Sequence, residues 1–231
     1  MTQPLSAFPP DAADVAPASS PAPTDSRAHA VHRPTNVART VFHIGSGALA
    51  LTLLRVLPSR TWLIAAAASF ALFAWTCETT RRRSAAVNAR LMRFFGPVAH
   101  PHEWHRVNSA TWYATALLVM SFVVPLEAAE LGVIVLALAD PAAGIIGRRF
   151  GRRRLASGRS LEGALAFAVT GFFAAYVWMT VVGSYAPARL WVAAVAGVIG
   201  AATELLVSRV DDNLAIPLGT SLAVALAALA A

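Results

Sequence analysis

Seven apolar runs constrain this chain more than any other feature of its sequence. They cover residues 38–57, 61–77, 109–124, 131–146, 161–182, 189–207 and 213 to the C-terminus. Several approach the ~20 residues that a helix needs to cross the hydrocarbon core of a bilayer. Inside that core no water is present to satisfy backbone N–H and C=O groups, so a spanning segment must close its own hydrogen bonds as a helix. The expected fold is all-α, a polytopic membrane helical bundle of about seven transmembrane helices. Residues 38–231 are expected to form one domain. Residues 1–37 are rich in Pro, Ala, Ser and Asp and carry no sustained apolar period. They are expected to be a disordered tail, and without the apolar core of a signal peptide they are expected to be retained.

Charge placement orients the set. All nineteen basic residues are arginine and the formal charge is +7. That balance suggests nucleic acid only until the positions are read. The arginines lie between apolar runs, which is the pattern of membrane topology, and no nucleic-acid partner is expected. With the N-terminus in the cytoplasm, sixteen of the nineteen fall on the inner side; only Arg55, Arg60 and Arg189 fall outside. Glu127 and Glu130 then lie on the outer side and read as ordinary hairpin residues. The partner common to the whole chain is the lipid bilayer, and the expected location is a prokaryotic plasma membrane with its polar constellations facing the cytoplasm. The sequence carries no signal for oligomeric state. The single Cys77 excludes an intramolecular disulfide and a thiolate zinc site.

Ionisable residues in or beside membrane helices are costly, which makes them candidates for function. The densest stretch runs from Asp140 to Gly163, DPAAGIIGRRFGRRRLASGRSLEG. Gly144 and Gly147 share a helical face with Asp140 and leave room for a ligand or for a neighbouring helix. Pro141 frees backbone groups, which is tolerated at membrane depth mainly where they line a cavity. Arg148, Arg149 and Arg159 can contact phosphate oxygens bidentately. Near the end of the chain come Glu204, Asp211, Asp212 and Asn213; Asp-Asp-Asn also suits helix capping. Asp140, Glu162, Glu204, Asp211 and Asp212 place five carboxylates at one membrane face. Hard oxygen donors of this kind suit Mg²⁺, which takes a few carboxylates together with substrate phosphates. Arg39, His43 and Gly47 share a face of the first helix. Glu78 can pair locally with Arg81 or Arg82 at i,i+3 or i,i+4. His100, His102, Glu103 and His105 match no metal signature and read as a solvated or interfacial loop.

Taken in order, these motifs resemble the family of dolichol kinases, phytol kinases and CTP-dependent diacylglycerol kinases, membrane lipid kinases related to the phosphatidate cytidylyltransferases. The resemblance runs from about Arg39 to Pro217. It rests on Arg39-x-x-x-His43-x-x-x-Gly47, on Glu78 followed by Arg81, and on Glu103 followed by Asn108-Ser109-Ala110-Thr111-Trp112-Tyr113. It rests further on Asp140-x-x-Ala143-x-x-x-Gly147-x-x-x-Gly151, on Ser160-Leu161-Glu162-Gly163, and on Glu204 with Asp212-Asn213 and Pro217. It implies phosphoryl transfer from a nucleoside triphosphate, typically CTP and otherwise ATP, to a lipid alcohol such as a polyprenol, phytol or diacylglycerol. Asp140, Glu162 and Asp212 become the implied catalytic residues, with Asp140 the general base or a metal ligand. Gly144, Gly147, Arg148, Arg149, Arg159, Ser160 and Asn213 become the implied nucleotide-binding set. Asp140, Glu204, Asp211 and Asp212 are the implied Mg²⁺ ligands. Two positions depart from the family pattern. Arg159 stands where lysine is usual, and Asn108-Ser109-Ala110 stands for Ser-Gly-Ala. Two alternative readings are nucleotidyl transfer to a lipid phosphate and non-catalytic binding of anionic lipids.

Overall fold

The computed structural model describes residues 37–96, 98, 101–155, 158–207 and 209–230. The expected tail lies outside them except for Val37, as do His100 and the side chain of His102. Among the described residues the chain is helical throughout: α1 (Val37–Val56), α2 (Arg60–Arg83), α3 (Ala85–Phe95), α4 (Ser109–Val123), α5 (Leu126–Phe150), α6 (Leu161–Val182), α7 (Arg189–Leu206) and α8 (Asp212–Leu229). A single 3₁₀ turn covers Pro101–Trp104. Each of the seven apolar runs becomes one helix. Six of them are long and apolar enough to cross a membrane, which makes this an integral membrane protein. The remaining run, α4, has 15 residues, about 22 Å of helix against a core of ~30 Å.

The added element is α3, within a stretch that reads as a polar connection. Ser84 caps it, its side chain accepting from Val87 N at 3.4 Å. The helix interleaves Val87, Leu91 and Met92 with Asn88, Arg90 and Arg93. Met92 is buried while Phe94 is exposed, so α3 is an amphipathic helix on the surface of the bundle.

At the centre stands α5, whose Leu131, Val133, Val135 and Ala139 are fully buried. It packs against α6, α8 and α1, while α7 joins α6 to α8 and α2 lies along α4. Small residues set the spacing, as expected where lipid offers no hydrophobic drive for helix association. A Cβ on Gly197 would overlap the Ala168 carbonyl, and one on Gly132 would sit 2.5 Å from the Pro217 carbonyl. Gly183 ends α6 in the left-handed conformation at φ 77°.

The end of the bundle remote from the arginine loop corrects one expectation. Glu130 is fully buried rather than an exposed hairpin residue. Its Oε1 meets Arg55 Nε at 2.5 Å and its Oε2 accepts from Trp178 Nε1 at 2.9 Å. The Arg55 guanidinium also lies 5.9 Å from the Trp178 ring centroid. The cause is the start of α5 at Leu126, which places Glu130 one turn into the helix, between α1 and α6. At the same end Arg60 donates to the carbonyls of Ser121 and Phe122 at 2.9 and 2.7 Å, occupying acceptors that the last turn of α4 leaves open. Burial, together with Glu127 and Glu130, pushes the nearby Tyr185 hydroxyl up to about 12.

Candidate functional site

The loop between α5 and α6 is folded on itself before it presents any side chain. Leu155 N donates to the Arg159 carbonyl at 2.8 Å and Leu161 N to the Arg153 carbonyl at 3.0 Å. Gly158 turns the chain at φ 81°, a conformation that glycine adopts without strain. Ser160 caps α6, its Oγ accepting from Gly163 N at 3.0 Å. Gly147 and Gly163 let α5 and α6 approach here: a Cβ on Gly147 would stand 2.9 Å from Ser160 Oγ. The glycine spacing thus serves helix packing at Gly147, while Gly144 lies against the Arg148 guanidinium.

So held, Arg159 reaches across to α7 and α8. Its Nη1 pairs with Glu204 Oε1 at 2.5 Å, and its Nη2 donates to both Asp212 oxygens at 2.7 and 2.8 Å. Burial of the guanidinium works against its charge, but Asp212 and Glu204 outweigh burial and raise its pKa. Glu204 Oε2 is buried and has no hydrogen-bond partner, an acceptor held ready inside the site. Asp140 lies within Coulombic reach of Glu204 and Asp212. Its side chain is one-third exposed, and its Oδ2 is 3.9 Å from His43 Nε2. The same Nε2 is 3.1 Å from the Leu136 carbonyl, which fixes the ring beside Asp140.

The other carboxylates form a second, structural set. Asp211 caps α8, its Oδ1 accepting from Asn213 N and Nδ2 at 3.0 and 2.9 Å, while its Oδ2 lies 3.2 Å from Ser109 Oγ. Ser109 donates to Glu103 through N and Oγ, at 3.0 and 2.5 Å. Asn108 N donates to Glu78 at 3.2 Å. Glu78 accepts from Arg81 on both oxygens, at 2.8 and 2.9 Å, and from Arg82 at 2.5 Å. Glu78 and Glu103 are almost wholly buried, and buried carboxylates persist only when paired this fully. The local Glu78–Arg81 pair read from the sequence is present, and it also carries the chain across to Arg106, whose carbonyl accepts from Arg81 Nη2 at 2.5 Å. This network ties α2, the 3₁₀ turn, α4 and α8 together at the same end of the bundle as Arg159.

The structure places the remaining candidates as follows. Arg39 donates to the Val98 carbonyl at 3.1 Å. Glu162 accepts from Arg153 N at 3.3 Å on each oxygen and so braces the loop. Arg148 and Arg149 are exposed on the last turn of α5, the latter 5.4 Å from the Phe150 ring centroid. Asn213 lines a small cleft with His43 and Tyr113. Reasoning from sequence gave no role to Asn108 and Ser109 as connectors; the signal was present in Asn108 as an N-cap, confirmed by Ala110 N at 2.8 Å from its side chain.

No family model matches the chain, and no solved structure matches it. Among curated proteins it is similar to the CTP-dependent diacylglycerol kinase 1 of Schizosaccharomyces pombe. The two are 30% identical over an alignment of 155 positions that covers 62% of this chain and 71% of the yeast protein.

Proposed function

The chain belongs to the family of membrane lipid kinases that includes this CTP-dependent diacylglycerol kinase, and from that premise we propose that it transfers the γ-phosphoryl group of CTP to the hydroxyl of a lipid alcohol. The observation that carries the proposal is the meeting of Arg159, Glu204, Asp212 and Asp140 from four separate elements at one end of the bundle. Phosphoryl transfer asks a protein chiefly for positioning and for charge stabilisation, and this cluster supplies both.

The residues divide the work. Arg159 carries five N–H donors in a fork, and its two carboxylates do not use them all, so it can hold phosphate oxygens while Asp212 and Glu204 keep it in place. Arg148 and Arg149, exposed on the adjoining turn of α5, add positive charge toward the triphosphate. Asp212 is bound on both oxygens to Arg159, whereas Asp140 pairs with no arginine among the described residues and has the His43 ring at 3.9 Å. Asp140 is therefore the better general base for the alcohol proton, and His43 orients it.

Among the described residues no group of three or more His, Cys, Asp or Glu side chains converges on a point that would hold a cation alone. Mg²⁺ needs no such cage, since one or two carboxylates and substrate phosphates suffice. The unpartnered Glu204 Oε2 fits that demand. When bound, Mg²⁺ would neutralise the triphosphate charge; Glu204 would hold it together with the substrate phosphates, with Asp211 committed to its cap and Asp140 left as the base.

Purified full-length protein incubated with CTP or ATP, Mg²⁺ and a panel of polyprenol, phytol and 1,2-diacylglycerol tests the proposal. The expected product is a lipid monophosphate, with CTP the better donor. Absence of lipid phosphate from every alcohol with either nucleotide would reject the reading.

A further inference from the structure

Beside Asp140, on the side where α1 lies over α5, a narrow polar cleft enters the bundle. It is bounded by His43 and Gly47 of α1, Tyr113 of α4, Ala137 of α5 and Asn213 of α8, and its volume is about 10 Å³. That is close to the least space that admits one water molecule, so the cleft has room for a single oxygen atom. Two features of its wall are unusual. Tyr113 is nine-tenths buried, and its hydroxyl has no hydrogen-bond partner. A buried hydroxyl without a partner is costly unless something occupies the position it addresses. The second feature follows from Pro141, which lies inside α5. Proline has no N–H to offer the carbonyl four residues back, that of Ala137. The wall thus holds a buried donor at Tyr113, which the oxygen of an alcohol can satisfy, next to a turn of α5 whose hydrogen bonding Pro141 interrupts.

We propose that this cleft is the subsite for the acceptor hydroxyl of the lipid, and that Tyr113 positions the acceptor oxygen beside Asp140. The inference rests on the kinase reading above. It is supported by access as well as by chemistry. Among the described residues α1 packs on α5 and α2 on α4, and the side between α1 and α2 is assigned to the lipid chain. A lipid alcohol can enter there with its chain in the bilayer. Tyr113 Oη donates to one lone pair of the alcohol oxygen. The alcohol proton faces the His43–Asp140 pair, whose atoms stand 3.9 Å apart, and a second lone pair points toward the nucleotide. In the transfer step the alcohol oxygen bonds to the γ-phosphorus. The bond from that phosphorus to the β–γ bridging oxygen breaks, the proton passes to Asp140, and CDP leaves.

The test compares wild type with Tyr113→Phe, using 1,2-diacylglycerol in mixed micelles with CTP and Mg²⁺. The substitution keeps the ring and removes only the hydroxyl. Loss of one uncharged hydrogen bond should lower kcat/KM for the lipid about 3–10-fold. KM for CTP should stay at its wild-type value. Tyr176→Phe, on α6 with its ring stacked 6.2 Å from Phe172, should match wild type throughout. An unchanged lipid kcat/KM in Tyr113→Phe overturns the subsite, even if the melting temperature falls, because a purely structural water in the cleft would behave in that way. An equal rise in the KM for CTP overturns it too. A second measurement needs no variant. A diacylglycerol analogue with hydrogen in place of the hydroxyl should bind the wild-type protein about 3–10-fold more weakly than the parent lipid, and equal affinity contradicts the proposal. A wild type that makes no lipid phosphate rejects the kinase reading itself, while an active wild type with an indifferent Tyr113→Phe rejects the subsite alone.

Discussion

Asp140 and Asp212 are both aspartates at one end of the bundle, yet their surroundings differ. Asp212 has both oxygens on the Arg159 guanidinium, and Asp140 has a histidine ring at 3.9 Å. Asp140→Asn keeps shape and hydrogen-bonding capacity while removing the charge needed to accept a proton. Turnover of lipid alcohol with CTP should fall at least ~100-fold, since base catalysis alone contributes about 10²–10⁴, with the protein still folded and inserted. Glu127→Gln, at the opposite end of the bundle, is the control and should retain wild-type turnover. Undiminished activity in Asp140→Asn at matched expression would remove it as the base. The sequence identifies these residues as candidates but does not pair them. Arg159 and Asp212 are 53 positions apart, and the separation of Asp140, Glu204 and Asp212 near Arg159 from Asp211 in the Ser109 network and Glu162 in the loop depends on how the helices cross. Glu130 illustrates the limit from the other side: a glutamate near a turn reads as exposed until the helix is known to begin at Leu126.

At the scale of elements, the apolar runs were readable because each has the length and composition of a spanning helix. The α3 helix was not, because its apolar positions are too sparse to register against neighbouring runs; its Ser84 cap and the Leu91, Met92 and Phe95 spacing were the available signals. Helix contacts are legible only through glycine. Gly197 marks the approach of α7 to α6, where a Cβ would overlap the Ala168 carbonyl and stand 2.9 Å from Phe172 N. Backbone cannot yield as a flexible side chain can. Gly197→Ala should therefore destabilise the protein by about 1–3 kcal/mol, measured as a lower unfolding temperature in detergent. Gly45→Ala, whose Cβ would meet nothing within 4 Å, should be neutral or slightly stabilising, because alanine loses less entropy in a helix. Equal stability of the two variants would mean that α6 and α7 do not pack at Gly197.

For the whole molecule, arginine asymmetry and the helix order make one proposal about orientation. With the loop of Arg152 in the cytoplasm, the turn at Ser59 lies on the opposite side. In a Cys77→Ala background, Arg152→Cys should resist a membrane-impermeant thiol reagent added to intact cells, and Ser59→Cys should react; the reverse pattern would invert the topology and move the site to the outer face. The fold class was legible in the sequence because hydrocarbon leaves a spanning backbone few choices. The chemistry was legible only as an ordered set of polar residues, since no single motif distinguishes a kinase from a nucleotidyl transferase. That distinction is the central claim, and the fate of each phosphorus decides it most directly. CTP labelled at the γ-position and CTP labelled at the α-position are supplied in parallel to the purified protein with Mg²⁺ and 1,2-diacylglycerol. The account predicts that only the γ-label enters the lipid, with CDP released in equal amount. Transfer of the α-label to lipid with release of pyrophosphate would contradict it.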